Sequence, residues 1–478
     1  MGMSRSGHDS STLVVAGTRW AASLLFCLGL GACISTSPDP DHLAEIDGLV
    51  AARAGTPLRT SELLATDPGA RGDAPAGILS LEEAIVRALS RNLSLVASAE
   101  NVAIAQAALA QAGLISNPTA SFSAQWIHPQ ALSWDLVGSL MQELNGILTR
   151  STRVEIARAQ RFQIGIDLAG QAFDISQQVE SKYRGLAHLL RARKLADRIV
   201  EQYDRALKAA EARARVGVIP TPDVNRARIQ WEDAQRQVRK LDAQYRRGAR
   251  ELNWLLGVSS APAWNLPETL GQIPSELPTL PELSAAEALG LRYRLDLQRA
   301  ELDVRVGEST VTLAGWGFVP DVQAGVAVEH DETRTLKLGP SFAFTIPIFD
   351  PGLVAYQLAQ ARLRLASKTH AALEGQVRQD VRSAHATLEL DLDDVRFFRE
   401  RIIPQQEENI RLADQSFRLG NTDLDSLLNT LRDYVSSLQS YEDSVQTYFD
   451  DRVAFQRAVG LIWTRLSEEE RKLKEDKK

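Results

Sequence analysis

The chain has 478 residues, enough for two or three ordinary soluble domains, and 44% of them are hydrophobic, enough for a sizeable core. Its net charge of -7, with basic and acidic residues interleaved as at Arg236, Arg239, Lys240 and Asp242, excludes the footprint of a nucleic-acid binder and suits solvated helix faces. Its two cysteines, Cys27 and Cys33, build neither a disulfide framework nor a zinc site.

Residues 1–32 read as a secretory signal. Arg5 and Arg19 precede a short apolar run, Trp20 to Leu30, too short to span a bilayer. Leu30-Gly31-Ala32-Cys33 follows, small residues before a cysteine, as in a bacterial lipobox. Cys33 is therefore the expected lipidation (palmitate) site and first mature residue, and Ile34 after it favours the outer membrane. An ordinary signal peptide containing a cysteine is the alternative. Residues 33–78 then form an N-terminal extension.

The rest of the chain repeats once. Leu79-Ser80 with Ala84 matches Leu283-Ser284 with Ala288. Asn117-Pro118 matches Val319-Pro320, Arg215-Val216-Gly217 matches Arg418-Leu419-Gly420, and Leu255-Leu256-Gly257 matches Ala458-Val459-Gly460. The spacing stays near ~200 residues, so both halves have the same element lengths. Repeat 1 covers 79–258, a proline-rich linker 259–282, repeat 2 283–463, and a charged tail 464–478. Each repeat predicts a helix (Leu81 to Leu114, Ala285 to Ala314) and two strands (Thr119 to Ile127 and Ser133 to Leu144; Asp321 to His330 and Leu336 to Phe349). A very long helical region follows (Ser151 to Arg215, Leu353 to Leu419), then a glycine turn and a last helix (Asp223 to Leu256, Leu424 to Ile462).

The long regions predict helices of ~100 Å, far beyond a compact domain. Val377, Val381, Ala384 and Leu388, and Leu428, Leu431, Val435 and Leu438, follow heptad spacing. Pro404 interrupts the second region, whereas the matching position in the first is Glu201. The strand segments alternate in part, as in Ala120 to Trp126, with Trp126, Trp134, Trp316 and Phe349 near predicted strand ends, as girdle aromatics would be. Four strands cannot close a barrel alone; three chains would supply twelve. A small soluble hairpin sheet fits the pattern equally well.

With these features the chain resembles the outer membrane efflux protein family, TolC-like, in its lipoprotein branch of OprM-type channels. The carriers are Leu79-Ser80-Leu81-Glu82-Glu83-Ala84, Arg91-Asn92-Leu93, Asn117-Pro118, the strand exit Ile346-Pro347-Ile348-Phe349-Asp350-Pro351-Gly352, and Phe417-Arg418-Leu419-Gly420 with Leu427-Leu428. The resemblance implies a mainly α protein with a membrane β-barrel portion. It implies a homotrimer sharing a twelve-strand barrel and a periplasmic α-helical barrel, working with a periplasmic adaptor and an inner-membrane pump as a passive duct. A type I protein-secretion duct and a periplasmic coiled-coil adaptor or scaffold are the competing readings.

Gly217 and Gly420 mark the expected tip turns, where the resemblance places adaptor docking. Asp423 and Asp425 with Arg432 are the candidate entrance gate, a ring of carboxylates around a threefold axis; helix capping competes for Asp423 with Thr422 beside it. In the family archetype the acidic gate positions fall where this chain has Ser426 and Asn429. No phosphate loop, nucleophile elbow or metalloprotease helix is present, and His128, His330, His370 and His385 do not cluster, so no enzyme activity, cofactor or bound metal is expected.

Overall fold

The structure, a computed structural model, describes residues 37–66, 78–127, 133–258, 279–330 and 335–475. The predicted signal, Cys33, His128 and most of the proline-rich linker lie outside the described residues. In chain order the elements are α1 (Pro40–Ala54), α2 (Thr60–Leu64), α3 (Leu81–Arg91), α4 (Leu93–Ala112), β1 (Thr119–Ile127), β2 (Ser133–Glu143), α5 (Asn145–Leu148), α6 (Arg150–Arg215) and α7 (Thr221–Leu255). The second repeat follows with α8 (Leu283–Tyr293), α9 (Leu295–Gly315), β3 (Val322–His330), β4 (Leu336–Phe344), α10 (Leu353–Phe397), a π-turn (Phe398–Ile402), α11 (Ile403–Leu419), α12 (Leu424–Val459) and α13 (Trp463–Glu475).

The duplication is visible in the backbone, with one shift. The helix expected over Leu81 to Leu114 is two helices, because Asn92 is extended (φ -65, ψ 121), and Arg294 breaks its counterpart in the same way (φ -63, ψ 121). Asn92 ends α3 and caps α4, accepting from the backbone N–H groups of Ser94 and Leu95. The helix starts are Ser80, which closes a capping box with Glu83, and Glu282. The structural partner of Ser80 is therefore Glu282, two residues before Ser284. Each break rests against the glycine that ends its repeat. Gly257 (φ +68) lies against the Arg91 carbonyl so closely that a Cβ would stand 2.3 Å from its oxygen, and Gly460 takes the same place beside Tyr293.

Both ends of the described chain, from α1 and from α13, pack into this joint. Ile46, Val50 and Ala54 of α1, with Leu58 and Leu63, are buried in the repeat 1 core, so the described part of the expected extension belongs to the body. Arg53 donates to the Tyr293 carbonyl (2.8 Å) and to Gln298 (3.2 Å), tying α1 to the second break. The expected C-terminal tail is helical through Glu475. It buries Leu466, and its Glu469 accepts from the Tyr293 hydroxyl at 2.8 Å.

The four strands form one antiparallel sheet in the order β1-β2-β3-β4. β4 ends at Phe344 rather than at the expected Phe349, because Pro347 has no N–H for a ladder and Asp350 turns the chain by accepting from the N–H of Gly352. α6 is unbroken over 66 residues, a length of ~100 Å.

Candidate functional site

The sheet register sorts the side chains. Phe122 faces Gly138, Ala124 faces Leu136, Leu140 faces Val326, Val328 faces Leu338, and Ala324 faces Phe342. Residues directly opposite share a face, so all of these lie on one side, which is apolar across the sheet apart from Gln142 and His330 at its ends. The other side carries Ser121 paired with Ser139, Ser123, Gln125, Asp135, Glu143, Gln323, Glu329 and Lys337, with a 2.8 Å hydroxyl bond between the two serines and a 3.3 Å ion pair between Lys337 and Glu329. The apolar side is open: Phe122 is 74% exposed, Leu338 72% and Phe342 69%. Nothing in a water-soluble hairpin sheet explains such a surface. β1 and β4 each keep an edge unpaired among the described residues.

At the far end the two long hairpins turn. Gly217 (φ +75) and Gly420 (φ +79) are left-handed and have open space where a Cβ would stand, so backbone conformation alone selects glycine there. Each closes the same helix end. Val218 N–H reaches the Arg213 carbonyl (3.0 Å) and Asn421 N–H the Ser416 carbonyl (2.9 Å), the paired-bond stop typical of a glycine cap. Val216, Val218 and Leu419 are exposed around these turns.

The candidate gate residues have three different settings. Asp423 caps α12, its carboxylate accepting from Ser426 N–H at 2.8 Å. Asp425 pairs with Arg226 of α7, which also approaches Asp223 at 3.7 Å, so this carboxylate ties one hairpin to the other. Arg432 is exposed and donates to Asn429 at 3.3 Å. Two residues missed in the sequence complete the tip. Arg226 is one; Arg213 is the other, donating to the Phe417 carbonyl with its guanidinium 3.9 Å from the centre of the Phe417 ring. Both pairings cross between repeats rather than following the repeat spacing, so no internal alignment finds them. Beneath them Tyr203, Leu207, Val224, Phe417, Leu424 and Leu428 share one buried core.

The comparisons with known proteins follow the same duplication. The family model for the outer membrane efflux protein matches residues 84–258 and 289–461, one segment in each repeat. The chain belongs to the outer membrane efflux protein family. It is 24% identical to the cobalt-zinc-cadmium resistance protein CzcC of Cupriavidus metallidurans, over 75% of this chain and 84% of that one. Its fold is similar to that of a membrane protein from Pseudomonas aeruginosa (TM-score 0.69, 19% identity, 83% of this chain and 97% of that chain). It is likewise similar to the outer membrane protein VceC of Vibrio cholerae (TM-score 0.65, 16% identity, 80% and 96%). The protein is thus an outer-membrane efflux channel, a transport protein by family. Among the described residues no group of three or more histidine, cysteine or carboxylate side chains is arranged to hold a metal ion.

Proposed function

We propose that three copies of this chain close a twelve-strand barrel in the outer membrane. The observation that carries this is the segregation of the sheet into an open apolar face and a polar face, with both edge strands unpaired. A spanning sheet has no free edge, and threefold closure removes both of them. The Phe122, Leu338 and Phe342 side meets lipid; the Ser121, Asp135, Glu143 and Glu329 side lines the pore. Within the family's tripartite design the helical arm extends into the periplasm, and the turns at Gly217 and Gly420, with exposed Val216, Val218 and Leu419, meet a periplasmic adaptor working with an inner-membrane pump. The duct is passive, and the protein is not an enzyme. An open apolar sheet face counts against a non-membrane scaffold.

Lipidation at Cys33 completes the anchorage. Asp39 is held by Arg161 at 3.3 Å, eleven residues or ~16 Å along α6 from the sheet end. The half-dozen residues from Cys33 to Asp39 reach at most ~20 Å, enough to return to the membrane surface. Entrance gating belongs to Asp425 with Arg226, and to Arg432 beyond them; the carboxylate of Asp423 is committed to its cap. Carboxylates outnumber bases on the polar sheet face, which favours cations, and the likeness to a cobalt-zinc-cadmium resistance protein makes divalent metal ions the first cargo to test.

Planar-bilayer recording of the detergent-purified protein, with its mass in detergent, tests this reading. The expected result is a trimer with cation-preferring conductance. A monomer that stays soluble without detergent would sink it. Cys33→Ser should leave an uncut precursor, and normal processing of that variant would remove the lipid anchor.

A further inference from the structure

The two repeats can be laid on one another residue by residue. Tyr183 of α6 and His385 of α10 reach the carbonyls of Leu79 and Pro281, at 2.6 and 3.0 Å, just before the helix starts Ser80 and Glu282. This pair sets α6 in register with α10, and the π-turn begins only at Phe398, so the register holds up to it. The left-handed glycines Gly257 and Gly460 set α7 in register with α12.

Within the chain, the groove between α10 and α12 holds a cavity of about 650 Å³ lined by Asp380, Ala384, Ala454 and Arg457, and α6 closes it with Gly170, Phe173 and Asp174. The groove between α6 and α7 holds a cavity of about 460 Å³ lined by Gln178, Lys182, Glu251 and Trp254, the repeat equivalents of those four in the same order. No described residue outside α6 and α7 lines it, and Trp254 is 71% exposed. The α10 residues equivalent to Gly170, Phe173 and Asp174 are Ala372, Gly375 and Gln376; all three are exposed, with open space where a Cβ on Gly375 would stand. Further along, Arg191 of α6 pairs with Glu442 of α12 at 3.1 Å, the two side chains 8% and 16% exposed. Their equivalents are Asp393 of α10, 70% exposed, and Arg239 of α7, also exposed. An acid stands where the base was, and a base where the acid was.

We infer that α10 of a second copy closes the groove between α6 and α7, with Trp254 against that copy's Ala372, Gly375 and Gln376, and Arg239 paired with that copy's Asp393. A duplicated chain that closes around an axis meets its neighbour through the same kind of contact that joins its own repeats. Both reversals keep the fit. Inside the chain the aromatic Phe173 enters a groove of alanines; between copies the aromatic Trp254 belongs to the groove and the small residues to α10. The charges likewise stay opposite after exchanging sides. The reversals also dictate order. α10 laid into another copy's α10–α12 groove would set Asp393 against Glu442, and α6 laid into another α6–α7 groove would set Arg191 against Arg239. Like repeats therefore repel, and unlike repeats alternate around the axis.

This interface rests on the trimer proposed above, and the mass of the full-length protein in detergent is read first: a monomer refutes the trimer itself and the interface with it. In the trimer, Trp254→Cys with Gln376→Cys is treated with a short bis-maleimide linker. The pair should join chains, moving most of the protein to two-chain and three-chain bands on a denaturing gel. Asp174→Cys with Arg457→Cys, the equivalent pair inside the chain, should link with no gain in mass, and Gln376→Cys with Arg457→Cys should leave the chains separate. A trimer whose 254–376 pair joins no chains, or whose 376–457 pair does, overturns the interface while leaving the trimer standing. Asp393→Arg should speed dissociation of the trimer about fivefold, and adding Arg239→Asp should bring the rate back to within about twofold of wild type. Equal rates in the single and the double variant overturn the charge pair.

Discussion

The two long helices of the repeats begin and end at matching places, yet they are built differently. α6 runs 66 residues without interruption, while its counterpart is divided into 45 residues, a five-residue π-turn and 17 more. The same contrast holds at the short helices. Asn92 and Arg294 have nearly the same backbone angles, but Asn92 is held by its own amide side chain, which also donates to the Leu255 carbonyl at 3.0 Å. Arg294 is held by carboxylates, with Asp296 at 2.9 Å and Asp380 at 2.8 Å. Duplication has kept the backbone path and let the side-chain support diverge.

The comparison breaks most visibly if the interruption is moved. Glu201 of α6 occupies the position of Pro404 and is exposed, with only a 3.7 Å pair to Arg205. Glu201→Pro removes one helix bond and forces a ring against the preceding turn, so a loss of about 3 kcal/mol or more is expected. Glu201→Ala, which removes only the surface pair, should cost less than about 0.5 kcal/mol. Chemical unfolding of the detergent-solubilised protein measures both. If α6 tolerates proline as repeat 2 does, the two helices are mechanically equivalent and the interruption of α10–α11 carries no weight.

How much of this was legible in the sequence depends on the range of the interaction. The duplication, the strand pairs and the span of the long helical regions were, because they rest on local periodicity and on glycines at fixed spacing. Pro404 announced an interruption, and its form, a π-turn rather than a stop, depended on packing. The break at Asn92 was hidden because apolar spacing resumes beyond it; a single extended residue barely disturbs the pattern. The strand exit was read five residues too long, since Ile346, Ile348 and Phe349 look like strand although Pro347 prevents it. The arginines that tie the tip were invisible, as pairings between distant helices leave no trace in one sequence. Asp423 was readable as a cap from its place before α12, whereas the pairing of Asp425 was not.

A middle-sized effect sharpens the contrast between the breaks. Asn92→Ala should cost about 1–2 kcal/mol at any pH, because it removes an uncharged cap and a buried bond. Arg294→Ala should cost about 1 kcal/mol at neutral pH. Burial alone would raise the carboxyl of Asp296, but the Arg294 guanidinium brings it below its ordinary value. A depressed carboxyl stabilises the fold above its unfolded pKa and loses that contribution as pH falls through the folded one. The Arg294→Ala penalty should therefore shrink below about pH 4, while that of Asn92→Ala persists. Parallel pH curves for the two variants would mean that the breaks are supported alike.

The smallest effect concerns another matched pair, His188 of α6 and Asp391 of α10. Burial acts on both in the same physical sense, against charge, and so with opposite signs in pKa. It lowers His188, and it pushes Asp391 up to about 7, with Asp451 of α12 and then Asp394 adding to the rise. For a histidine depressed in the fold, the unfolded chain binds more protons below its ordinary pKa, so stability is lost as pH falls from about 6.5. For a raised carboxyl the folded chain keeps its proton longer, so stability is lost as pH climbs from about 4 toward 7. His188→Gln should therefore flatten the acid side of the stability curve and Asp391→Asn the neutral side. Asp391 remains partly solvated, so a gain of about 0.5 kcal/mol at pH 8 over pH 5 is the scale to expect for Asp391→Asn. A gain equal at both pH values would mean that the asparagine merely packs better and that no proton is held between α10 and α12.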